Sequence, residues 1–463
     1  MKQNIALRNG LLTFLIFLSF AIQSCKKESE WLDAKANKSD VVPKSLKDLQ
    51  GILDNDVIFN LTPGLGNLGI DNYDISYSDW QTADPIQRNA YTWAPDIFQS
   101  SSVIDWNLCY QKIELANIVL EQLMKITVNT SNQADYDQIK GSALFFRAKS
   151  FFDLTSLFGK PFDLTSYERD LGIPIRTTTD VNVKSTRATV KETFDQIIKD
   201  LKEADALLPL IALHQLRPSK PAAEGLLAKT YLNIADYAKA GNYSDIALTN
   251  YNSLLDFNTL PDQSYPFADY PDNKEIIFWS QAIGYSLISP ANSVDRVDSN
   301  LFLSYDTNDV RRSAFYSDIS GQIVFDGPYT GGTGYLFSGL ATNELYLIHA
   351  ECLARQGNTN AAMDALNALL SKRWKDGTFV PITAFSPDDA LKKILVERNK
   401  ELPFTSNIRW DDLRRLNKES QFAKTLTRNL NGSVFTLEPN DNKYVYPIPP
   451  DEIKLSGIEQ NPR

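Results

Sequence analysis

The sequence predicts a mainly α protein, a scaffold of paired helices interrupted by long irregular aromatic-rich loops and carrying a few short strands. Three observations predict it. Long segments repeat apolar residues at steps of three and four, the spacing of one helical face. Gly-Asn dipeptides stand between consecutive segments of that kind. Two stretches, 60–100 and 258–340, lose the periodicity while keeping their aromatic residues.

The chain opens on a secretory signal. Lys2 and Arg8 supply positive charge, and Leu11 to Ile22 is largely apolar. As a helix that run rises about 18 Å, too short for a hydrocarbon core of about 30 Å. Ser24 is small and precedes Cys25, after which "KKESE" is fully polar. We therefore expect residues 1–24 to be a signal peptide and residues 25–463 to form one domain. A cysteine at that seam reads as the lipid attachment point of a bacterial lipoprotein. Acyl chains on Cys25 would hold the protein on a bilayer at about 0.8 kcal/mol per buried CH₂. The alternative is an uncleaved anchor with an ordinary cysteine.

The helices follow in order. In "WNLCYQKIELANIVLEQLMKI", Trp106, Tyr110, Ile113, Asn117 and Leu120 share a face on which Asn117 is the polar member. "IKGSALFFRAKSFFDLTSLFG" is aromatic on more than one side and ends at Gly159, a C-cap. Thr189 and Glu192 have capping-box spacing and open a helix that stops at Pro209. Ser219 and Pro221 begin another, which a turn at Gly241-Asn242 would separate from "YSDIALTNYNSLL". The same grammar returns around Gly357-Asn358, and Ser386-Pro387-Asp388-Asp389 starts one more helix. Helix pairs with small residues at their crossings resemble tetratricopeptide units. Cys109 and Cys352 fall on apolar faces and read as small buried hydrophobes.

The two irregular regions are the expected binding loops. Residues 60–100 interleave Gly, Asn, Asp and Pro with Tyr73, Tyr77, Trp80, Tyr91 and Trp93. Residues 258–340 hold 14 aromatics in 83 positions, too many for a disordered segment.

Toward the C-terminus the motifs become specific. "ELYLIHAECLARQGN", "ERNKELPFTSNIRWDDLRRL" and "YVYPIPPDEIKLSGIEQNPR" resemble the SusD/RagB family of Bacteroidetes outer-membrane lipoproteins. "WNLCYQKIELAN", "GSALFFRAKSFFDLTSLFG" and "WLDAKANKSDVVPKSLKDLQGIL" extend the likeness over nearly the whole chain. The "IQSC" lipobox and the aromatic loops depart from it. The resemblance implies a non-catalytic, surface-exposed lipoprotein anchored in the outer membrane. It also implies a SusC-like TonB-dependent porin as partner and an oligosaccharide as cargo; a peptide cargo is the alternative. The charged motif residues Glu344, Glu351, Glu397, Arg398, Glu401, Arg409, Asp411 and Arg414 read as a structural ion-pair network. "YPIPP" reads as an extended tail packed along the helices.

Other chemistries find little in the sequence. Lys and Arg total 47 against 57 Asp and Glu, a net charge of −10 that argues against nucleic acid as a partner. Only two histidines exist; His349 reads as a core-edge residue and His214 as surface. There is no G-x-S-x-G elbow, P-loop, dinucleotide fingerprint or zinc spacing, so no cofactor is expected. A glycoside hydrolase needs only two carboxylates and stays open as a second alternative. "DNYDISYSD", Asp71 to Asp79, is acidic enough for calcium but lacks the EF-hand glycine and glutamate, and no metal site is assigned.

Sugar binding suits the loops, because pyranose C–H faces stack on Trp and Tyr while polar side chains satisfy the hydroxyls. Trp106, Trp374 and Trp410 sit in helical or motif positions, Trp279 in an apolar run, and Trp31 follows the tether. That leaves Trp80 as the leading platform and Trp93 as a weaker one, with Tyr285, Tyr316 and Tyr329 from the second loop region.

Overall fold

The computed structural model describes residues 43–463 except residue 293. The signal, Cys25 and Trp31 lie outside the described residues. No described helix is long and apolar enough to cross a membrane.

Helix α1 (Leu46–Leu53) starts at a capping box between Ser45 and Asp48. Helix α2 (Ile104–Leu123) buries Trp106, Ile113 and Asn117 of the predicted face and half-buries Tyr110 and Leu120, and α3 (Gln133–Phe158) is buried from Gly141 to its end. A helix apolar all round belongs at the centre, and α3 lies between α2 and α4 (Val190–Leu207). Asn117, the polar member of the α2 face, accepts from Arg147 Nη1 of α3 at 2.9 Å, and Arg147 Nε donates to Asp200 of α4 at 2.8 Å. One buried guanidinium thus joins three helices. The capping box of α4 forms between Thr189 and Glu192 as its spacing predicted. Gly159 caps α3 in an extended conformation.

Helices α5 (Lys220–Asn233) and α6 (Tyr237–Asn250) form the next pair. The predicted turn at Gly241-Asn242 is a correction: both residues lie inside α6. The chain turns over residues 234–236 instead, where Ala235 takes φ 57° and the Asp236 side chain accepts from Lys239 N. Gly241 serves packing, because a Cβ there would stand 3.0 Å from Cys352 Cβ. Cys352 belongs to α7 (Thr342–Arg355), which turns at Gly357-Asn358 into α8 (Thr359–Leu370). Helices α9 (Pro387–Glu401, capped by Ser386) and α10 (Ile408–Leu416) follow. Consecutive members of the series α2 to α8 pack side by side, and α7 also contacts α9. Because α6 packs on α7, the excursion between them leaves the scaffold and returns to the same place. Cys109 and Cys352 are buried free thiols.

The strands are short and form two-stranded pairs. The loop regions also contain brief helices at Tyr77–Thr82, Pro85–Tyr91, Ser299–Leu303 and Arg311–Phe315. Their caps were in the sequence. Ser76 accepts from Asp79 N, and Asp84 precedes Pro85 and accepts from Ile86 N. The C-terminal tail runs without helix over 446–449 as expected, but Pro450 opens a short helix, Pro450–Ser456, that the sequence reading did not foresee. Tyr446 N bonds Leu157 O at 2.8 Å, and Asn461 donates to Phe158 O and Tyr446 O.

A buried ion-pair network fastens the second loop region to the C-terminal helices. Arg311 reaches Asp309 at 2.7 Å, Glu397 at 2.5 Å and Glu401 at 3.1 Å. Arg373 reaches Glu275 at 2.7 Å and Glu401 at 2.8 Å. A second group joins Arg398 to Asp412 at 2.8 Å, and Arg415 to Glu351 at 2.6 Å. Burial alone would raise the Asp412 carboxyl, but Arg398 and Arg415 outweigh it and hold it at about 2.

Candidate functional site

The two loop regions meet in a seam. Leu61–Thr62 pairs in parallel with Gln281–Ala282, and Tyr73–Asp74 pairs antiparallel with Arg296–Val297. Side chains reinforce the seam. Gln87 Oε1 accepts from Leu287 N at 3.0 Å and from Ser286 Oγ at 3.2 Å. Asp105, at the start of α2, accepts from Gly64 N at 2.8 Å, Leu65 N at 2.9 Å and Tyr285 OH at 2.5 Å. One buried carboxylate on the rigid scaffold thereby holds both loops. Burial raises its pKa despite these three donors.

The aromatics divide sharply. Trp93 is 2% exposed and takes φ 53°, with Nε1 donating to Gly69 O at 3.0 Å. Together with Tyr73 and Tyr91 its ring surrounds the Arg428 guanidinium at 4.3 to 5.3 Å. Trp93 is a wall of that cage, which corrects its assignment as a platform. Tyr316 and Tyr329 are corrected likewise. Tyr316 is buried with its hydroxyl 3.0 Å from Tyr305 OH. Tyr329 is buried against Phe267 and Phe337 and donates to Glu275. Long loops need cores of their own, and these rings supply them.

Other rings keep surface at solvent. Tyr77 is 37% exposed and stacks on half-buried Trp80, with centroids 5.8 Å apart and planes 22° apart. Trp80 Nε1 donates to Arg88 O at 3.2 Å, which sets the tilt of the indole. Tyr285 is half-buried and oriented by Asp105. Tyr335 is 42% exposed and crosses Gly284 so closely that a Cβ there would come within 3.2 Å of its ring. Ser289 Oγ donates to Gly334 O at 3.0 Å, tying residues 284–289 to the Tyr335 tip. Tyr285 lies on the seam through Asp105 and Tyr335 joins it through Gly284, while Trp80 and Tyr77 lie in the helix before the one that carries Gln87; Tyr77 and Tyr335 were not among the platforms chosen from the sequence. A signal existed for each. Tyr335 follows "TGGTG", which offers only two small threonine side chains to cover it, and Tyr77 shares its short helix with Ser, Asp, Gln and Thr.

Among the described residues no group of three or more His, Cys, Asp or Glu side chains could hold a metal ion. Asp71 instead forms bidentate bonds to Arg409 at 2.7 Å and a further ion pair with Lys424 at 2.7 Å. His349 lies at the core edge with Nδ1 3.4 Å from Gly241 O. His214 is half-buried rather than on open surface, and burial pulls its pKa down.

Two family models match this chain. One, described as starch-binding associating with outer membrane, matches residues 30–232; the SusD family model matches residues 342–463. The chain belongs to the SusD/RagB family. The matched intervals hold the first loop region and the scaffold apart from α6, and the whole of the second loop region falls between them. SusD-like protein P2 of Formosa agariphila is 23% identical over 429 residues, which is 77% of this chain and 79% of that protein. A SusD superfamily protein from Bacteroides thetaiotaomicron shares the fold with a TM-score of 0.71 at 23% identity, covering 90% of this chain and 100% of that one. A SusD-like carbohydrate binding protein from Bacteroides vulgatus shares it with a TM-score of 0.69 at 19% identity, covering 89% and 96%.

Proposed function

We propose that this SusD-family protein captures oligosaccharide on the seam face and delivers it to a SusC-like TonB-dependent porin of the outer membrane. Lipid on Cys25 holds it at the outer surface. What supports the reading is open ring surface in both joined loop regions: Tyr77 stacked on Trp80 in the first, and Tyr335 against Gly284 next to the oriented Tyr285 in the second. Pyranose rings stack on such surfaces, and Gln81, Asp84, Arg88 and Asn292 stand in the same segments to meet sugar hydroxyls. The family description and the carbohydrate-binding relative of the same fold point the same way.

The face binds without cleaving. A glycosidase needs two carboxylates free to act on either side of a glycosidic bond. Two seam carboxylates are engaged, since Asp105 holds three donors and Asp84 caps a helix; Asp295 has an unpartnered Oδ1 but is 2% exposed, closed off from a saccharide on the face. Calorimetric titration of the mature protein with glycan and peptide panels tests the reading. Saturable heat from one glycan class is expected, and heat from peptides alone would overturn it. Mild detergent extraction from the native membrane should co-purify a porin; recovery of the lipoprotein alone would contradict the pairing.

A further inference from the structure

A cavity of about 170 Å³ lies between the end of α10, residues 160–170 and the turn at 440–445. Its wall carries Arg414, Asn417 and Tyr444, which are 6%, 3% and 1% exposed. Arg414 Nε is buried and unpartnered, and the buried Asn417 amide lies against the Tyr444 oxygen, leaving its second N–H and the Tyr444 O–H without an acceptor. Buried polar groups are ordinarily satisfied, so three on one wall call for an occupant.

The kind of unmet valence identifies that occupant. The other atoms of these side chains are engaged. Arg414 Nη1 donates to Thr155 O at 3.2 Å and Nη2 to Gly159 O at 2.5 Å. Asn417 Oδ1 accepts from Lys424 N at 3.0 Å. Burial pushes Tyr444 up to about 12, so its hydroxyl keeps its proton and can donate. The open valences are donors. Charge agrees with that. Arg398, Arg409 and Arg415 each have a carboxylate within 3 Å, whereas Arg414 has none in ion-pair contact among the described residues and feels the buried Asp411 only from farther away. At the cavity margin stand the ammonium groups of Lys160 and Lys418, 37% and 34% exposed and paired with Asp170 at 3.1 Å and Asp163 at 2.9 Å, each with N–H donors to spare. The wall carboxylate Asp170 is held by Lys160 and Ser166, and Asp441 by Lys443 N. Water could accept these bonds but would bring protons needing acceptors of their own. An oxyanion only accepts.

We propose that this cavity binds an oxyanion through Arg414, Asn417 and Tyr444, with Lys160 and Lys418 at its mouth. The group is inorganic sulfate or phosphate, or the carboxylate or sulfate substituent of an acidic saccharide. The test titrates sodium sulfate, sodium glucuronate and glucose into the mature protein at constant ionic strength, balanced with chloride. Wild-type protein binds the anions saturably and does not bind glucose here. Tyr444→Phe removes one donor and weakens binding about tenfold or more. Asn417→Asp keeps the acceptor for Lys424 N but brings negative charge, and it abolishes binding. In chloride Tyr444→Phe melts with the wild type, so its loss is not one of folding. Glucuronate binding more tightly than sulfate upholds the site and assigns it to a saccharide; the reverse upholds it and assigns it to the free ion. No anion binding, or equal affinity in wild type and Tyr444→Phe, overturns the proposal and leaves a water-filled cavity.

Discussion

Replacing Tyr335 with Ala separates binding from folding more cleanly than any other change on the seam. The ring is 42% exposed, and the residue is held chiefly through its backbone, where Thr330 donates to its carbonyl and its N–H meets Thr333 Oγ1 at 3.4 Å. Stability should therefore fall by no more than about 0.5–1 kcal/mol, mostly for the contact with Gly284. Loss of a stacking partner should weaken glycan binding by about 1–2 kcal/mol, a five- to thirtyfold loss of affinity. Trp93→Ala supplies the opposite signature. It empties a core site and removes one wall of the Arg428 cage, costing about 3–5 kcal/mol of stability. Trp80→Ala should fall between, since Trp80 is half-buried and its indole N–H is bonded. The assay is thermal melting beside calorimetric titration with a glycan the wild type binds. Unchanged affinity with unchanged melting for Tyr335→Ala would remove it from the site. A large fall in melting temperature would assign it to the core.

Cys25→Ala should move the protein out of the membrane fraction or stall it as precursor; labelling wild-type cells with a palmitate analogue and finding no label would refute lipidation. Glu401→Ala strips one carboxylate from both Arg311 and Arg373, and urea unfolding should show about 3–5 kcal/mol of lost stability. A loss below about 1 kcal/mol would mean that the network does not fasten the loop. Asp295 is buried with Oδ1 unpartnered, and burial pushes its pKa up to about 7. The unfolded carboxyl titrates near 3.9, so the folded state binds more protons between those values and this contribution to stability declines as pH rises through them. The decline is on the order of 4 kcal/mol at most. Asp295→Asn should therefore gain on the wild type as pH is raised from 5 to 8, and a stability difference independent of pH would refute the assignment.

Much of the scaffold was legible because its signals are local. The capping box at Thr189 and Glu192, the Pro387 start and the Gly357-Asn358 turn each lie within a few residues of what they specify. The failures came where a residue serves a distant partner. Gly241 reads as a turn until Cys352 is seen against it. Trp93, Tyr316 and Tyr329 read as loop aromatics, and only Arg428, Tyr305 and Glu275, all remote except Tyr305, reveal them as core. The ion-pair network was expected from the charged C-terminal motifs, and Glu344, Glu351, Glu397, Arg398, Glu401 and Arg409 form pairs, whereas Asp411 and Arg414 form none among the described residues. The network's other half, Glu275, Asp309, Arg311 and Arg373, lies in stretches without periodicity, so nothing in their spacing marked them. At the proposed site, composition marked the two loop regions that the structure joins but could not sort buried rings from open ones.

The central claim is that the two loop regions act as one glycan-binding face. Hydrogen exchange of the mature protein, with and without a saturating glycan, tests it most directly. The account predicts slowed exchange at residues 77–91, 284–289 and 331–336 together, with the helices α2 to α8 unchanged. Protection confined to one of the two loop regions, or appearing only elsewhere on the molecule, would contradict it.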